Sequence, residues 1–197
     1  GSVSLSETNP EASFLFATEH LGKPITKELI FSFNSYEIVV LTSLGELKDV
    51  SQYTLSWIGG LPEHEGSQDA MFMEGLVGQA GSIESFRVGA AGFFRSPNTN
   101  NIDAEDKKYT GHADFVGYRT KYFGMFFVPE KSDYVEIIKY PTPLRAGVDI
   151  NVTQNINLEK NRVYLGPLDY SSIENLDVSL EEKILGWQWL SSVSWLV

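Results

Sequence analysis

The 197-residue chain has no cysteine. That excludes a disulfide framework, a thiolate metal site and a thiol nucleophile. It also leaves no free thiol to mispair, which is compatible with an oxidising compartment. Basic residues are scarce: 15 Lys and Arg stand against 26 Asp and Glu, a formal charge of −11. With no basic run, the chain is a poor candidate for binding nucleic acid through its phosphates. Also missing are GxSxG, a phosphate-cradling GxxxxGK, GxGxxG and HExxH. No run of about 20 apolar residues, the length needed to span a bilayer, is present.

What is present is a globular composition, 42% hydrophobic and 13% aromatic, at a length that suits one domain. Gly1-Ser2 reads as a cloning scar, and residues 1–13 as that scar plus a polar linker. Strand periodicity dominates the middle of the chain. Val148, Ile150 and Val152 alternate with Asp149, Asn151 and Thr153, the signature of a strand with one buried and one wet face. Ile156 and Leu158 keep the same parity. Leu29–Phe33 and Tyr36–Thr42 flank an Asn34-Ser35 turn and predict a hairpin. Further strand-like runs are Glu46–Val50, Tyr53–Ile58, Ile83–Val88, Ala91–Phe94, Ala113–Thr120, Tyr122–Val128, Tyr134–Tyr140 and Arg162–Leu165. Gly59–Asp69 and Arg95–His112 read as loops, Gly75–Gly78 and Gly89–Gly92 as turns. Pro141 and Pro143 mark a connection between strands. The expected fold is mainly β, with two stacked antiparallel sheets over residues 14–168.

Helix signals come only after Gly166-Pro167. Ser171-x-x-Glu174 and Ser179-x-x-Glu182 are capping-box patterns, predicting a short helix near 170–175 and a longer one from about Leu180 onward. Ile184–Val197 carries no charge, and three of the four tryptophans lie in the last eleven residues. At 100° per residue, Leu185, Trp189, Leu190, Val193 and Leu196 share a face with Val197, while Trp187 and Trp195 fall among serines. Two readings stand: a helix lying at the aromatic-rich boundary of a membrane, or a terminal helix packed on the sheets. The expectation is an interfacial helix that leads into a transmembrane segment of a longer protein. Residues 169–197 form that third region.

No catalytic, cofactor or metal site is expected. Glu63-His64-Glu65 offers three ligand types in a row, but neighbours on an extended chain point apart. His20 and His112 sit beside glycines and read as surface residues. Asn151-Val-Thr153 is a formal glycosylation acceptor inside a strand.

Four pieces in order carry a family resemblance: Tyr122–Pro129 (YFGMFFVP), Arg162–Pro167 (RVYLGP), the short helix Asp169–Leu176, and Leu185–Leu190 (LGWQWL) running on to Trp195. Upstream, Tyr36–Val50 (YEIVVLTSLGELKDV) is similar to the family's first hairpin. Together they resemble the periplasmic domain of the YidC family of membrane-protein insertases. The resemblance implies a β-supersandwich of the galactose-mutarotase-like kind with one or two C-terminal helices. It implies a periplasmic position at the bacterial inner membrane, and partners among Sec translocon accessory subunits and nascent membrane proteins. It implies no catalysis, since the family's substrate-binding groove lies in the transmembrane part. Two other classes remain to weigh: a sugar-binding or mutarotase-like module, which predicts a cleft with a Glu–His pair involving His64 or His112, and a chaperone or docking module whose aromatic sheet face or cleft binds extended segments, which predicts an exposed apolar groove.

Overall fold

The computed structural model describes residues 2–45, 47, 50–61, 73–87, 105–142, 145–155, 160–173 and 176. Among them, twelve strands and one short helix follow in order: β1 (Glu11–His20), β2 (Lys23–Ser32), β3 (Glu37–Ser43), β4 (Gln52–Trp57), β5 (Glu74–Gln79), β6 (Ser82–Arg87), β7 (Glu105–Thr110), β8 (Phe115–Arg119), β9 (Phe123–Pro129), β10 (Tyr134–Thr142), β11 (Arg145–Asn155), β12 (Lys160–Pro167) and α1 (Tyr170–Ile173). They form an eight-stranded sheet, β1-β2-β3-β12-β9-β8-β5-β6, and a four-stranded sheet, β4-β11-β10-β7. Every strand pairing is antiparallel. The two-sheet β fold expected from the sequence is the one observed.

The core between the sheets follows from strand parity. From the large sheet come Val40, Val77, Val116, Tyr118, Met125, Phe127 and Val163. From the small sheet come Tyr109, Val135, Ile137, Ile150 and Val152. The alternation in β11 does what its sequence pattern requires: Ile150 and Val152 are fully buried, while Asn151 joins Ser56 and Glu136 by side-chain hydrogen bonds of 2.7 and 3.0 Å on the other face.

Turn chemistry sets the hairpins. Leu21-Gly22 joins β1 to β2 and Ala80-Gly81 joins β5 to β6, each with positive φ at both residues. Such two-residue turns match the twist of paired strands. The Asn34-Ser35 turn falls where the sequence placed it, with Asn34 at φ 58°.

Several expectations need correction. Gly75–Gly78 is not a turn but most of β5, held between β6 and β8. Its glycines make room for neighbours: a Cβ on Gly78 would lie 2.3 Å from the Phe115 ring. Residues 105–110, read as loop, form edge strand β7 against β10. Pro141 does not end the sheet. It lies in β10 opposite Ala146, past the last residue that pairs with β7, so its missing N–H affects one neighbour strand at most. The first strand begins at Glu11, inside the stretch read as linker. The runs at 91–94 and 156–158, and Gly89–Gly92, lie outside the described residues, as does most of 46–50.

Candidate functional site

The large sheet is buried on both faces along its middle. Its outer face carries a second apolar cluster, Leu76, Phe115, Phe126, Val128 and Tyr164, with Ile173 and Leu176 seated on it. Two glycine positions shape this platform. Gly78 is the cross-strand partner of Phe115 and Gly117 that of Phe126. At Gly117 a Cβ would sit 2.1 Å from the Phe126 ring and 2.3 Å from the Met125 carbonyl. The rings lie down over bare backbone and meet each other edge to face, with centroids 5.8 Å apart.

The chain turns onto this platform after β12. The Leu168 N–H donates to the Tyr122 carbonyl at 2.7 Å, and the buried Tyr164 hydroxyl donates to the Pro167 carbonyl. Burial pushes the Tyr164 phenol up to about 12. Helix α1 is capped by Asp169, not by Ser171 as the capping-box pattern suggested. Asp169 Oδ1 accepts from the Ser172 N–H at 2.9 Å and from the Ser171 hydroxyl at 2.7 Å, and Oδ2 accepts from the Ser172 hydroxyl at 2.9 Å. These bonds, the Ser171 one foremost, lower the Asp169 carboxyl below its ordinary value because they favour its charged form. The short helix expected near 170–175 is observed over Tyr170–Ile173.

Arg162 fixes the exit of the chain. Its guanidinium donates to Glu37 Oε2 at 3.1 Å and to the Leu176 carbonyl at 3.4 Å. One cation thereby ties β12 and β3 to the last described residue. The predicted interface residues Leu185, Trp187, Trp189, Leu190, Val193, Trp195 and Leu196 all lie outside the described residues, as do Ser179, Glu182 and the Glu63-His64-Glu65 triplet. The described chain ends at Leu176, seated on the platform.

Beside the platform, on the same outer face, is a cleft of about 710 Å³. Ile83, Phe115 and Val128 line it together with His112, Asp114, Glu130, Lys160 and Arg162. His112 is exposed, as is His20. The His112 Nδ1 accepts from the Ser132 N–H at 3.3 Å, and its carbonyl accepts from Gln79. Neither partner is a carboxylate, so the described bonds do not assemble an acid–base pair on His112. Among the described residues no group of three or more His, Asp or Glu could hold a metal ion, and no helix is long and apolar enough to cross a membrane. Sequence reading missed the platform. Its signal was the register of glycines opposite aromatics, legible only once strands are paired.

No family model matches the chain. Similarity to individual proteins is consistent. The membrane protein insertase YidC of Chlorobaculum parvum is 27% identical over 182 residues, covering 82% of this chain and 28% of that protein. YidC of Chlorobium limicola is 29% identical over 175 residues with the same coverage. YidC of Prosthecochloris aestuarii is 26% identical over 190 residues, covering 86% of this chain and 30% of that protein. The chain thus spans less than a third of the length of the curated relatives it matches. Among solved structures, a galactose mutarotase related enzyme from Lactobacillus acidophilus aligns over 81% of this chain and 69% of its own, at 10% identity and a TM-score of 0.38. That likeness is too loose to carry an argument. The resemblance to the YidC insertases seen in the sequence stands.

Proposed function

We propose, from a kinship with the YidC insertases that spans four fifths of the chain, that this protein is the extracytoplasmic, water-facing domain of a membrane-protein insertase. It acts by docking partners and by positioning a membrane-proximal segment, without chemistry of its own. Its place is the periplasmic side of a bacterial inner membrane. Its partners are Sec translocon accessory subunits and nascent membrane proteins.

The observation that carries the positioning role is the anchored exit of the chain. Ile173 and Leu176 are sealed against the outer face of the large sheet, and Arg162 holds the Leu176 carbonyl. A rigid body that fixes the last residues before an amphipathic segment can set that segment's distance and direction from the membrane. The charge of −11 repels anionic headgroups, and residues 184–197 carry no basic side chain to offset this. Contact then comes from apolar burial by Leu185, Trp189, Leu190, Val193 and Leu196, with Trp187 and Trp195 at the rim. Each well-buried side chain of this size contributes about 1.5–3 kcal/mol, so four or five outweigh a repulsion screened beyond roughly 8 Å at physiological salt.

Vesicle flotation tests the reading. The full chain should float with neutral phosphatidylcholine vesicles, and a chain ending at Leu176 should stay in the aqueous phase. Equal partitioning of the two overturns the membrane role of the segment.

A further inference from the structure

The edge strands of a sheet are where another chain can add; among the described residues these are β1, β6, β4 and β7, and this protein treats them unequally. Edge strand β7 is protected: four of its six residues (EDKKYT) are charged. Edge strands β4 and β6 are short, at six residues each. Edge strand β1 is ten residues long, pairs with β2 without interruption from Glu11↔Ser32 to His20↔Lys23, and contains no lysine, no proline and no bulge. Those are the devices that ordinarily blunt an edge. Its middle is Phe14-Leu15-Phe16, exposed by 44, 66 and 53%. Among the described residues no strand pairs with its outer side.

The Phe33 N–H donates to the Pro10 carbonyl at 2.7 Å, so Pro10 and Phe33 occupy a hydrogen-bonded position. Such positions alternate along an antiparallel pair. The even-numbered residues of β1 therefore bond to β2, and Glu11, Ser13, Leu15, Ala17 and Glu19 aim both N–H and C=O outward. Five donors and five acceptors line the edge over about 27 Å, at roughly 3.4 Å per residue.

The side chains say what would pair there. On the outer face Glu11 and Glu19 bracket Leu15, four residues to either side. On the inner face Phe14 and Phe16 continue onto a shelf with Phe31, whose ring Phe14 meets edge-on at 5.7 Å. The shelf borders a groove of about 390 Å³ against Tyr53 and Leu55 of the small sheet. A second copy is a poor occupant. Two-fold pairing centred on Leu15 would set Glu11 directly opposite Glu19 twice, and like charges opposite one another destabilise a ladder. The complementary strand has apolar residues at its centre and a cation at each end, and the protein's overall charge of −11 favours the same partner.

We propose that β1 is a strand-addition site for an extended polypeptide segment with an apolar middle flanked by lysine or arginine. This inference rests on the open edge alone and does not depend on the membrane reading above.

The test uses the full chain and a blocked, fluorescent peptide, Lys-Ser-Thr-Val-Leu-Val-Thr-Ser-Lys, with a twin in which both lysines are glutamate. Anisotropy should show saturable binding of the lysine-ended peptide, and about tenfold weaker binding of its twin, as two reversed cross-strand charge pairs would give. Hydrogen exchange should slow within residues 11–19. Glu11→Lys combined with Glu19→Lys changes two exposed side chains and should invert the preference. Ala17→Pro removes an outward N–H that the fold does not use, and should weaken binding of the peptide with the melting temperature unchanged. The proposal is overturned if neither peptide binds, if protection appears away from β1, or if the charge reversal leaves the preference as it was. Concentration-dependent dimers that protect β1 in sedimentation and exchange experiments would also overturn it, by making a second copy the occupant.

Discussion

Replacing Ile173 with alanine should release the chain's exit while leaving the sandwich standing. Helix α1 has four residues, far too few to persist alone in water, so its position depends on what it buries. Ile173 is fully buried and Leu176 is 2% exposed. At about 1.5–3 kcal/mol each, the two contribute roughly 3–6 kcal/mol to docking. An Ile→Ala change at a buried site costs about 2–5 kcal/mol including the cavity, which removes most of that. The loss is local because Ile173 packs on the outer-face cluster, whereas the sandwich core lies on the opposite face of the sheet. Native-state hydrogen exchange separates the two regions. Ile173→Ala should speed exchange of residues 169–176 by about 30-fold or more, since 1.4 kcal/mol is a factor of ten. Its urea midpoint should fall less than that of Ile150→Ala, which opens a cavity in the main core. Unchanged exchange at 169–176, or a single transition shifted as far as in Ile150→Ala, would refute the claim that exit and sandwich are separable.

Gly117→Ala should be severely destabilising, by more than about 3 kcal/mol, because the new methyl meets the backbone carbonyl of Met125 as well as the Phe126 ring and backbone cannot move aside as a flexible side chain does; expression and thermal melting would show it. Arg119→Met should cost about 3 kcal/mol in chemical denaturation, since it leaves the buried Glu74 carboxylate, which Arg119 Nε bonds at 2.6 Å, without its cation. In alkali, a phenol raised from 10 to about 12 favours the neutral form in the folded state. Its contribution is complete below pH 10 and is lost as pH rises towards about 12, so docking of residues 169–176 should weaken across that window in hydrogen-exchange or near-ultraviolet dichroism. In acid the sign reverses for Asp169, whose carboxyl is lowered. Its cap should hold above the ordinary carboxylate range and fail as pH falls through the depressed folded value, ahead of loss of strand structure.

The sequence announced strands where one face is wet and the other dry. Val148–Thr153 and the Asn34-Ser35 hairpin were legible for that reason. Strand β1 was not, because Phe14-Leu15-Phe16 has no alternation and neither face is sealed. Strand β7 was hidden by its charges, which an edge requires. Strand β5 was hidden by Gly75 and Gly78, which look like punctuation until Phe115 is placed over Gly78. At the helix start, Ser171 and Glu174 imitate a cap, yet Asp169 lies two residues earlier and brings a full negative charge to the N–H of Ser172. The exit platform was illegible for a deeper reason. It is assembled from β5, β8, β9 and β12, distant in sequence, and no local period encodes which glycine will face which ring.

The mismatch between the two sheets explains why an exposed apolar shelf exists at all. Strands stand about 4.8 Å apart, so eight span roughly 34 Å and four roughly 14 Å. Among the described residues, some 20 Å of the large sheet's inner side lacks a facing strand. A protein with no use for that overhang would coat it with polar residues, and this one shows that it can. The outer face of the small sheet carries Thr54, Ser56, Lys108, Glu136, Asn151 and Thr153 in register, with Thr54 and the buried Thr153 joined at 2.7 Å and Lys108 folded over the Tyr134 ring at 3.4 Å. That face offers no apolar side chain in those two rows apart from the ring of Tyr134, which Lys108 covers. At the overhang the chain instead places Phe14, Phe16 and Phe31, and on the reverse side Leu15. Polar rows on that face and exposed aromatics beside the unpaired edge of β1 are opposite choices within one fold, and the second is what strand addition at β1 requires.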